Sequence, residues 1–453
     1  MASPSLVWFR DDLRVADHPA LAVAAERGEP IVALYVLDEE SRGIRPLGEA
    51  AKWWLHASLL SLQAKLDELG GKLVLRRGAA ADIVPALAEE LDAGLVVWNR
   101  RYGGPERDVD TAIKSALREA GRVVHSMPGS LLIEPWEVST GEDKPYRVYS
   151  PFFNALTERF KREPPRDPIA VPAKLTKPRG SAVPASDELD DWGLLPTRDW
   201  GEGLAEIWTP GEDAAHERME QFLADDVSGY SDDRDFPGHD ATSRLSPRLR
   251  WGELSSPQVW AAARGHTGKG ASTFRNELAW RDFAWHTLFY SPDLHRVSWR
   301  EEYEKFPWPR LKPSQLKAWQ RGATGIPLVD AGMRQLWHHG WMHNRSRMVT
   351  ASFLIKHLLI DWRHGEEWFW DTLVDADAAN NPFNWQWVAG SGVDAAPYFR
   401  IFNPERQADK FDPEGAYVKL WVPEAGSDDY PDPIVDLKEG RERALAAWEQ
   451  VRR

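Results

Sequence analysis

Five short apolar runs alternate with helix-length segments over the first 129 residues, and this pattern limits the fold more than any other feature. The runs are SLVWF (5–9), PIVALYVLD (30–38), KLVLRRG (72–78), GLVVWNR (94–100) and RVVHSMPG (122–129). Between them, residues 18–28, 48–71, 80–94 and 106–121 carry helical signals, with a kink expected at Pro85. Runs that are apolar throughout cannot face water on either side. They predict a parallel sheet covered by helices on both faces, that is, a doubly wound, Rossmann-like α/β domain. From about residue 203 strand signals become scarce and helical stretches follow one another, which predicts an all-helical domain. The expected organisation is α/β over 1–130, a linker over 131–202 and helices over 203–453. Pro164, Pro165, Pro168, Pro172, Pro178, Pro184 and Pro196 keep 163–200 free of regular structure, so this stretch must wrap a surface or join two bodies.

A sheet of this kind binds dinucleotides through G-x-G-x-x-G after its first strand. Residues 8–14 read WFRDDLR instead, which disfavours a standard dinucleotide or P-loop site. The chain has no cysteine, which removes disulfides, thiolate zinc sites, iron–sulfur clusters and cysteine nucleophiles. The longest apolar run, VTASFLIKHLLIDW, is broken by Lys356 and His357, and the N-terminus meets acidic residues too early for a secretory signal. The expectation is a cytoplasmic protein with no membrane partner. A net charge of −14 argues against simple electrostatic binding of nucleic acid. Tryptophan, at 24 residues, outnumbers 16 Phe and 10 Tyr; either the core is built of large rings or the chemistry uses oxidisable, stackable ones.

Polar groups concentrate in four segments of the helical part. TSRLS (242–246) precedes a helical stretch, where hydroxyls and free N–H groups suit a phosphate or simply cap the helix. In FRNELAWRDFAW, Glu277 and Arg281 are four apart, as in a surface ion pair, but Trp280 and Trp285 crowd the same stretch. His339 and His343 are spaced like a helical metal pair, yet no third ligand appears and Gly340 intervenes, so no metal is expected; Asn344, Arg345 and Arg347 are the stronger polar set. Asp375 and Asp377 start like a calcium loop, but the later ligand positions fail. AANNPFNWQW is expected to break the helix and present amides beside Trp385 and Trp387. A phosphate cradle, arginines, amides, carboxylates and flat rings suit a bulky, flat, charged cofactor such as a flavin dinucleotide. They equally suit an unstacked base held against aromatic faces.

These segments, TSRLSP, NELAWRDF, GMRQLWHHGWMHNRSRM, DWRHGEEWFW and NWQWVAGSGVDAAPYFRIFNP, together with VWFRDDLR at 7–14, resemble the photolyase–cryptochrome family over nearly the whole chain, to about residue 423. The resemblance implies an α/β antenna domain and a helical FAD-binding domain. It places FAD against Tyr230, Thr242, Ser243, Arg244, Leu245, Ser246, Arg281, Asn344, Arg347, Asp375, Asp377 and Asn381, with Phe274 where the family usually has a tryptophan. Asn381 matches the residue facing flavin N5; its amide can accept from a protonated N5, which favours reduced or neutral-radical flavin. The implied reaction is light-driven electron donation to a cyclobutane pyrimidine dimer flipped out of UV-damaged DNA. Trp280 and Trp387 would stack on the dimer, Glu277 would bond its carbonyl edge, and Met348 would line the pocket. Arg345, Arg234, Arg400 and Lys410 would hold backbone phosphate. The family's (6-4) enzymes carry histidines at the positions of Asn344 and Met348, so the cyclobutane dimer is the expected lesion. Trp385, Trp362 and Trp308 match a relay that photoreduces the flavin. The family often adds an antenna pigment, methenyltetrahydrofolate or 8-hydroxy-deazaflavin, and Glu106 stands at a folate-compatible position, with Pro105 where asparagine is usual. A monomer is expected. The alternatives are a signalling cryptochrome, opposed by Asn381, Met348 and the lack of a C-terminal extension, and a flavin electron-transfer protein, which predicts no damage-specific DNA binding. Repair requires a local basic face at the pocket mouth.

Overall fold

The computed structural model describes residues 3–178, 184–196, 200–395 and 399–452. Parts of the proline-rich segment, and residues 396–398 of the NWQWVAGSGVDAAPYFRIFNP motif, lie outside the described residues.

Five parallel strands, β1 (Ser5–Phe9), β2 (Ile31–Leu37), β3 (Leu73–Arg77), β4 (Leu95–Asn99) and β5 (Val123–Met127), form one sheet in the order β3-β2-β1-β4-β5. Four helices connect them: α1 (Pro19–Glu26), α2 (Glu49–Glu68), α3 (Ala80–Glu90) and α4 (Gly104–Glu119). Side chains alternate across the pleat. Val7 and Phe9 of β1 point into the core shared with α1 and α2, while Leu6 and Trp8 point into the core shared with α3 and α4. Both faces are buried, which is why the strands read as unbroken apolar runs.

Where a dinucleotide fold would cradle phosphate, the WFRDDLR segment is used as structure. Arg10 pairs with Asp110 at 3.0 Å and lies over Trp8, Asp12 pairs with His18, and Asn99 donates to Asp12. The same loop ties the sheet to the helical part. Asp11 pairs with Arg250, Arg14 donates to the Gly252 carbonyl, and Glu212 accepts from Val15 and Ala16 N–H.

The proline-rich segment runs along the sheet. Asp187 N–H donates to the Leu75 carbonyl and Leu75 N–H to Ser186, so the segment covers the outer edge of β3. Residues 131–202 are more than a connector, because they include α5 (Tyr149–Arg162), which packs Phe152 on Phe283.

Helices dominate thereafter, from Trp200–Ile207 to the terminal Leu437–Arg452. One expectation is overturned. AANNPFNWQW does not break a helix; it begins one, Asn380–Ala389. Pro382 sits in the first turn, where N–H groups have no partner within the helix, and Asp377 accepts from the N–H groups of Ala379 and Asn380. Among the described residues no helix is long and apolar enough to cross a membrane.

Candidate active site

A cavity of about 520 Å³ opens within the helical part, and all twelve residues expected to hold the cofactor line it. Its apolar walls come from Leu249, Phe274, Leu278, Met342, Phe369 and Phe383. Walls of this kind suit a large flat ring, and polar groups from several segments complete the lining.

One polar stretch of that lining is the TSRLS loop. Arg218 donates to the carbonyls of Thr242 (2.7 Å) and Ser243 (3.0 Å) and so turns them away from the cavity. Arg244 then adopts φ +53°, a left-handed conformation that non-glycine residues rarely hold unless their surroundings enforce it. Ser246 Oγ donates to Asp375 at 2.7 Å, and Arg347 forks onto the same carboxylate at 3.1 and 2.8 Å. Arg281 does not pair with Glu277 as its spacing suggested. It donates to the carbonyls of Ser130 and Leu249 and to Ser256 Oγ, all neutral acceptors, and so leaves positive charge at the wall. Arg218 was not singled out from sequence; it lies outside every motif.

Asn381 is buried at the wall, with Nδ2 donating to the Glu366 carbonyl (3.0 Å) and to Glu366 Oε1 (2.8 Å). A carbonyl and a carboxylate accept only, so the amide nitrogen must face Glu366 and Oδ1 is the atom left for the cavity. Glu366 escaped the sequence reading because an acidic residue in GEEWFW looks like a solvated helix face.

At the mouth, Glu277, Trp280, Asn344, Met348 and Trp387 all line the cavity. Glu277 is bonded to Arg234, from across the mouth. Trp280 stacks on Tyr149 of α5, a contact hidden in the aromatic run YRVYSPFF. Arg345 does not line the cavity itself. It pairs with Asp235 at 2.7 Å, lies over Phe411 and reaches Met348 Sδ at 4.0 Å. Lys410 lies over the same Phe411, and Arg400 over Trp387. The four cations expected to hold phosphate therefore sit around this mouth despite the acidic whole, Arg234 paired with Glu277 and Arg345 with Asp235.

Of the three relay candidates, Trp385 lines the cavity and is 2% exposed. It fits closely against the Trp362–Thr372 helix, because a Cβ on Gly365 would lie 2.1 Å from its ring. Trp362 is fully buried in the same apolar cluster, and Trp308 lines a narrow crevice with Trp362 and packs on Phe306 nearer the surface. Glu106 does not share this site; in the first turn of α4 its carboxylate folds back onto Gly103. Among the described residues no His, Asp and Glu cluster could hold a metal, and His339 and His343 are separated by the helix end at Gly340.

Two family models match this chain: DNA photolyase over residues 5–173, and the FAD-binding domain of DNA photolyase over residues 274–427. A deoxyribodipyrimidine photo-lyase of Agrobacterium fabrum is 48% identical over an alignment covering 100% of this chain and 98% of the relative. Among solved structures, a bacterial class III photolyase from Agrobacterium tumefaciens superposes with a TM-score of 0.95 at 46% identity, covering 100% of this chain and 98% of that one. An archaeal photolyase from Sulfolobus tokodaii, solved with two FAD molecules, gives a TM-score of 0.84 at 27% identity, covering 99% of this chain and 100% of that one.

Proposed function

The chain belongs to the DNA photolyase family, and from that premise we propose that it repairs cyclobutane pyrimidine dimers in DNA with light, as a deoxyribodipyrimidine photo-lyase whose cofactor is FAD. The observation that carries the reading is that the phosphate cradle, Asn381 and the aromatic mouth all line one cavity. The chemistry FAD supplies when bound, reduced and excited by light is one electron, lent to the dimer and returned after the ring opens, so no external oxidant or reductant is consumed.

The chain's own residues do the rest. Thr242, Ser243, Leu245 and Ser246 cradle the pyrophosphate through hydroxyl and N–H groups, helped by the charge of Arg244 and Arg281. Arg347 and Asp375 form the charged wall, Asp377 holds the helix start beneath it, and Tyr230 closes the apolar side. Asn381 Oδ1 offers an acceptor to N5, and Asn344 lies between cofactor and substrate. The flipped dimer stacks on the free face of Trp280 and on Trp387, against Met348. Glu277 meets the polar edge of the pyrimidine: as a carboxylate it accepts from an imide N–H, and when protonated it can donate to a carbonyl. Arg234, Arg345, Arg400 and Lys410 meet phosphates on either side of the lesion. Trp385, Trp362 and Trp308 pass electrons inward from the surface. Every proposed residue comes from one chain, so a monomer suffices, and a cytoplasmic location agrees with this reading.

The test is direct. Purified protein under blue light restores oligonucleotides containing a cyclobutane dimer, and does nothing in the dark. Repair of (6-4) lesions alone would overturn the lesion assignment, and a preparation that holds no flavin and takes none up would overturn the function.

A further inference from the structure

The Glu366 carboxylate that orients Asn381 is itself held from the other half of the molecule. Arg45, in the loop between β2 and α2, forks onto both Glu366 oxygens at 2.8 and 2.9 Å. Its guanidinium lies 4.1 Å above the Trp370 ring. The whole loop is seated: Trp370 Nε1 donates to the Pro46 carbonyl, Glu49 N–H donates to Asp371, and a Cβ on Gly48 would come within 2.2 Å of the Trp370 carbonyl. An unbroken chain of hydrogen bonds thus runs from the α/β part, through Arg45, Glu366 and Asn381, to the cavity wall.

We propose that Arg45 is a positioning residue for the FAD site, acting across the boundary between the two halves to hold Glu366 as a fixed acceptor and so keep Asn381 Oδ1 facing the cofactor. This rests on the reading that Asn381 faces flavin N5. A bidentate arginine is the group suited to the task, because it occupies one lone pair on each oxygen and leaves a second on Oε1 for the Asn381 amide. Without it, Glu366 is a carboxyl group buried in an apolar setting. Burial pushes its pKa up, Arg45 and the Asn381 amide oppose that shift, and Glu367 on the same helix adds to it. A protonated Glu366 is a donor. It can bond Asn381 Oδ1, turn the amide over and present N–H to the cofactor, which favours oxidised over reduced FAD.

The experiment uses the full chain loaded with FAD. Wild type, Arg45→Ala, Arg45→Lys, Glu366→Gln and Asn381→Leu are compared for FAD content, for the midpoint potential of the bound flavin against pH, and for the rate at which reduced flavin is reoxidised by air in the dark. Arg45→Ala and Glu366→Gln are expected to lower the potential and speed reoxidation roughly five- to tenfold, the factor for one net hydrogen bond. Arg45→Lys is expected to recover part of the loss. In Arg45→Ala the defect is largest at low pH and shrinks as pH rises and Glu366 ionises. In Glu366→Gln it does not vary with pH. If Asn381→Leu shifts the potential but folded, FAD-loaded Arg45→Ala and Glu366→Gln do not, the inference fails and the reading of Asn381 stands. If Asn381→Leu shifts nothing, the reading itself fails. Should Arg45→Ala not fold, the pairing of Glu366→Gln with Arg45→Lys decides: wild-type behaviour in both overturns the proposal.

Discussion

Tyr149 lies flat against Trp280, with ring centroids 3.5 Å apart and planes 8° from parallel. One face of Trp280 is thereby committed within the protein, and in the proposed complex a pyrimidine takes the other. Such a pair is worth about 0.5–1.5 kcal/mol beyond burial. Tyr149→Leu is therefore expected to weaken binding of dimer-containing DNA several-fold, and Tyr149→Phe to leave it near wild type. Fluorescence titration with a dimer-containing oligonucleotide measures both. Equal loss in the two variants would assign the effect to the hydroxyl, which bonds the Asn276 carbonyl.

Arg345 pairs with Asp235, and in the proposed complex it would exchange that partner for a backbone phosphate. Arg345→Ala is expected to weaken DNA binding and to lower the slope of log affinity against log salt by about 1. Asp235→Asn removes the competing carboxylate and is expected to tighten binding. Affinities measured across a salt series test the pair, and a looser Asp235→Asn complex would contradict it.

Arg218 touches no proposed ligand group but turns two carbonyls of the cradle aside. Arg218→Ala is expected to reduce FAD retention roughly ten- to a hundredfold, in line with the loss of a charged hydrogen bond of about 1.5–3 kcal/mol. Dialysis followed by the flavin-to-protein absorbance ratio reads it, while the melting of the α/β part should hardly change.

Trp362→Phe is expected to stop photoreduction of oxidised FAD yet leave repair by chemically reduced protein intact. Steady illumination with an external donor, followed by a dithionite-reduced repair assay, separates the two. Loss of both activities would make the residue structural.

His286, His343 and His357 are each 2% exposed or less, and burial lowers each pKa from 6.5 to about 4. His286 is fixed in its neutral form, with Nδ1–H donating to the Pro135 carbonyl and Nε2 accepting from Tyr146 N–H. The unfolded chain takes up protons at these sites that the folded protein refuses. The contribution of these three sites to stability is therefore fully present above about pH 6.5 and is lost as pH drops from there towards 4; His295 and His339, also lowered to about 4, add in the same sense, whereas Asp282, raised by burial to about 7, acts in the opposite one. Imidazole NMR titration of the folded protein over that range reads each site; a folded-state pKa near 6.5 would mean that these imidazoles are not held neutral.

Much of the candidate site was legible because its residues fall in a few long motifs whose local spacing survives folding. Thr242 to Ser246 are adjacent, and Asn344 and Arg347 stand one turn apart, so a linear reading already groups them. The residues it missed are those whose role is a meeting of distant segments. Arg218 reaches 24 residues to Thr242, Tyr149 reaches Trp280 in the Lys269–Tyr290 helix, and Arg45 reaches 321 residues to Glu366. Glu277 and Arg281 make the same point: their spacing left open a surface ion pair, and Arg234 takes Glu277 from 43 residues away. The helix over Asn380–Ala389 was misread because a proline near Asn-Asn looks like a breaker, whereas in a first turn it is compatible with the helix.

The amino-acid sequence by itself determined the two architectures, since period and apolar run length are local properties that dictate which faces must be buried. It also determined the chemical inventory of the cavity. Tertiary structure alone decided which charges neutralise one another, which face of Trp280 stays open and which way the Asn381 amide points. Those outcomes depend on burial and on hydrogen-bond competition between segments far apart in the chain, and a linear pattern does not contain the distances that settle them.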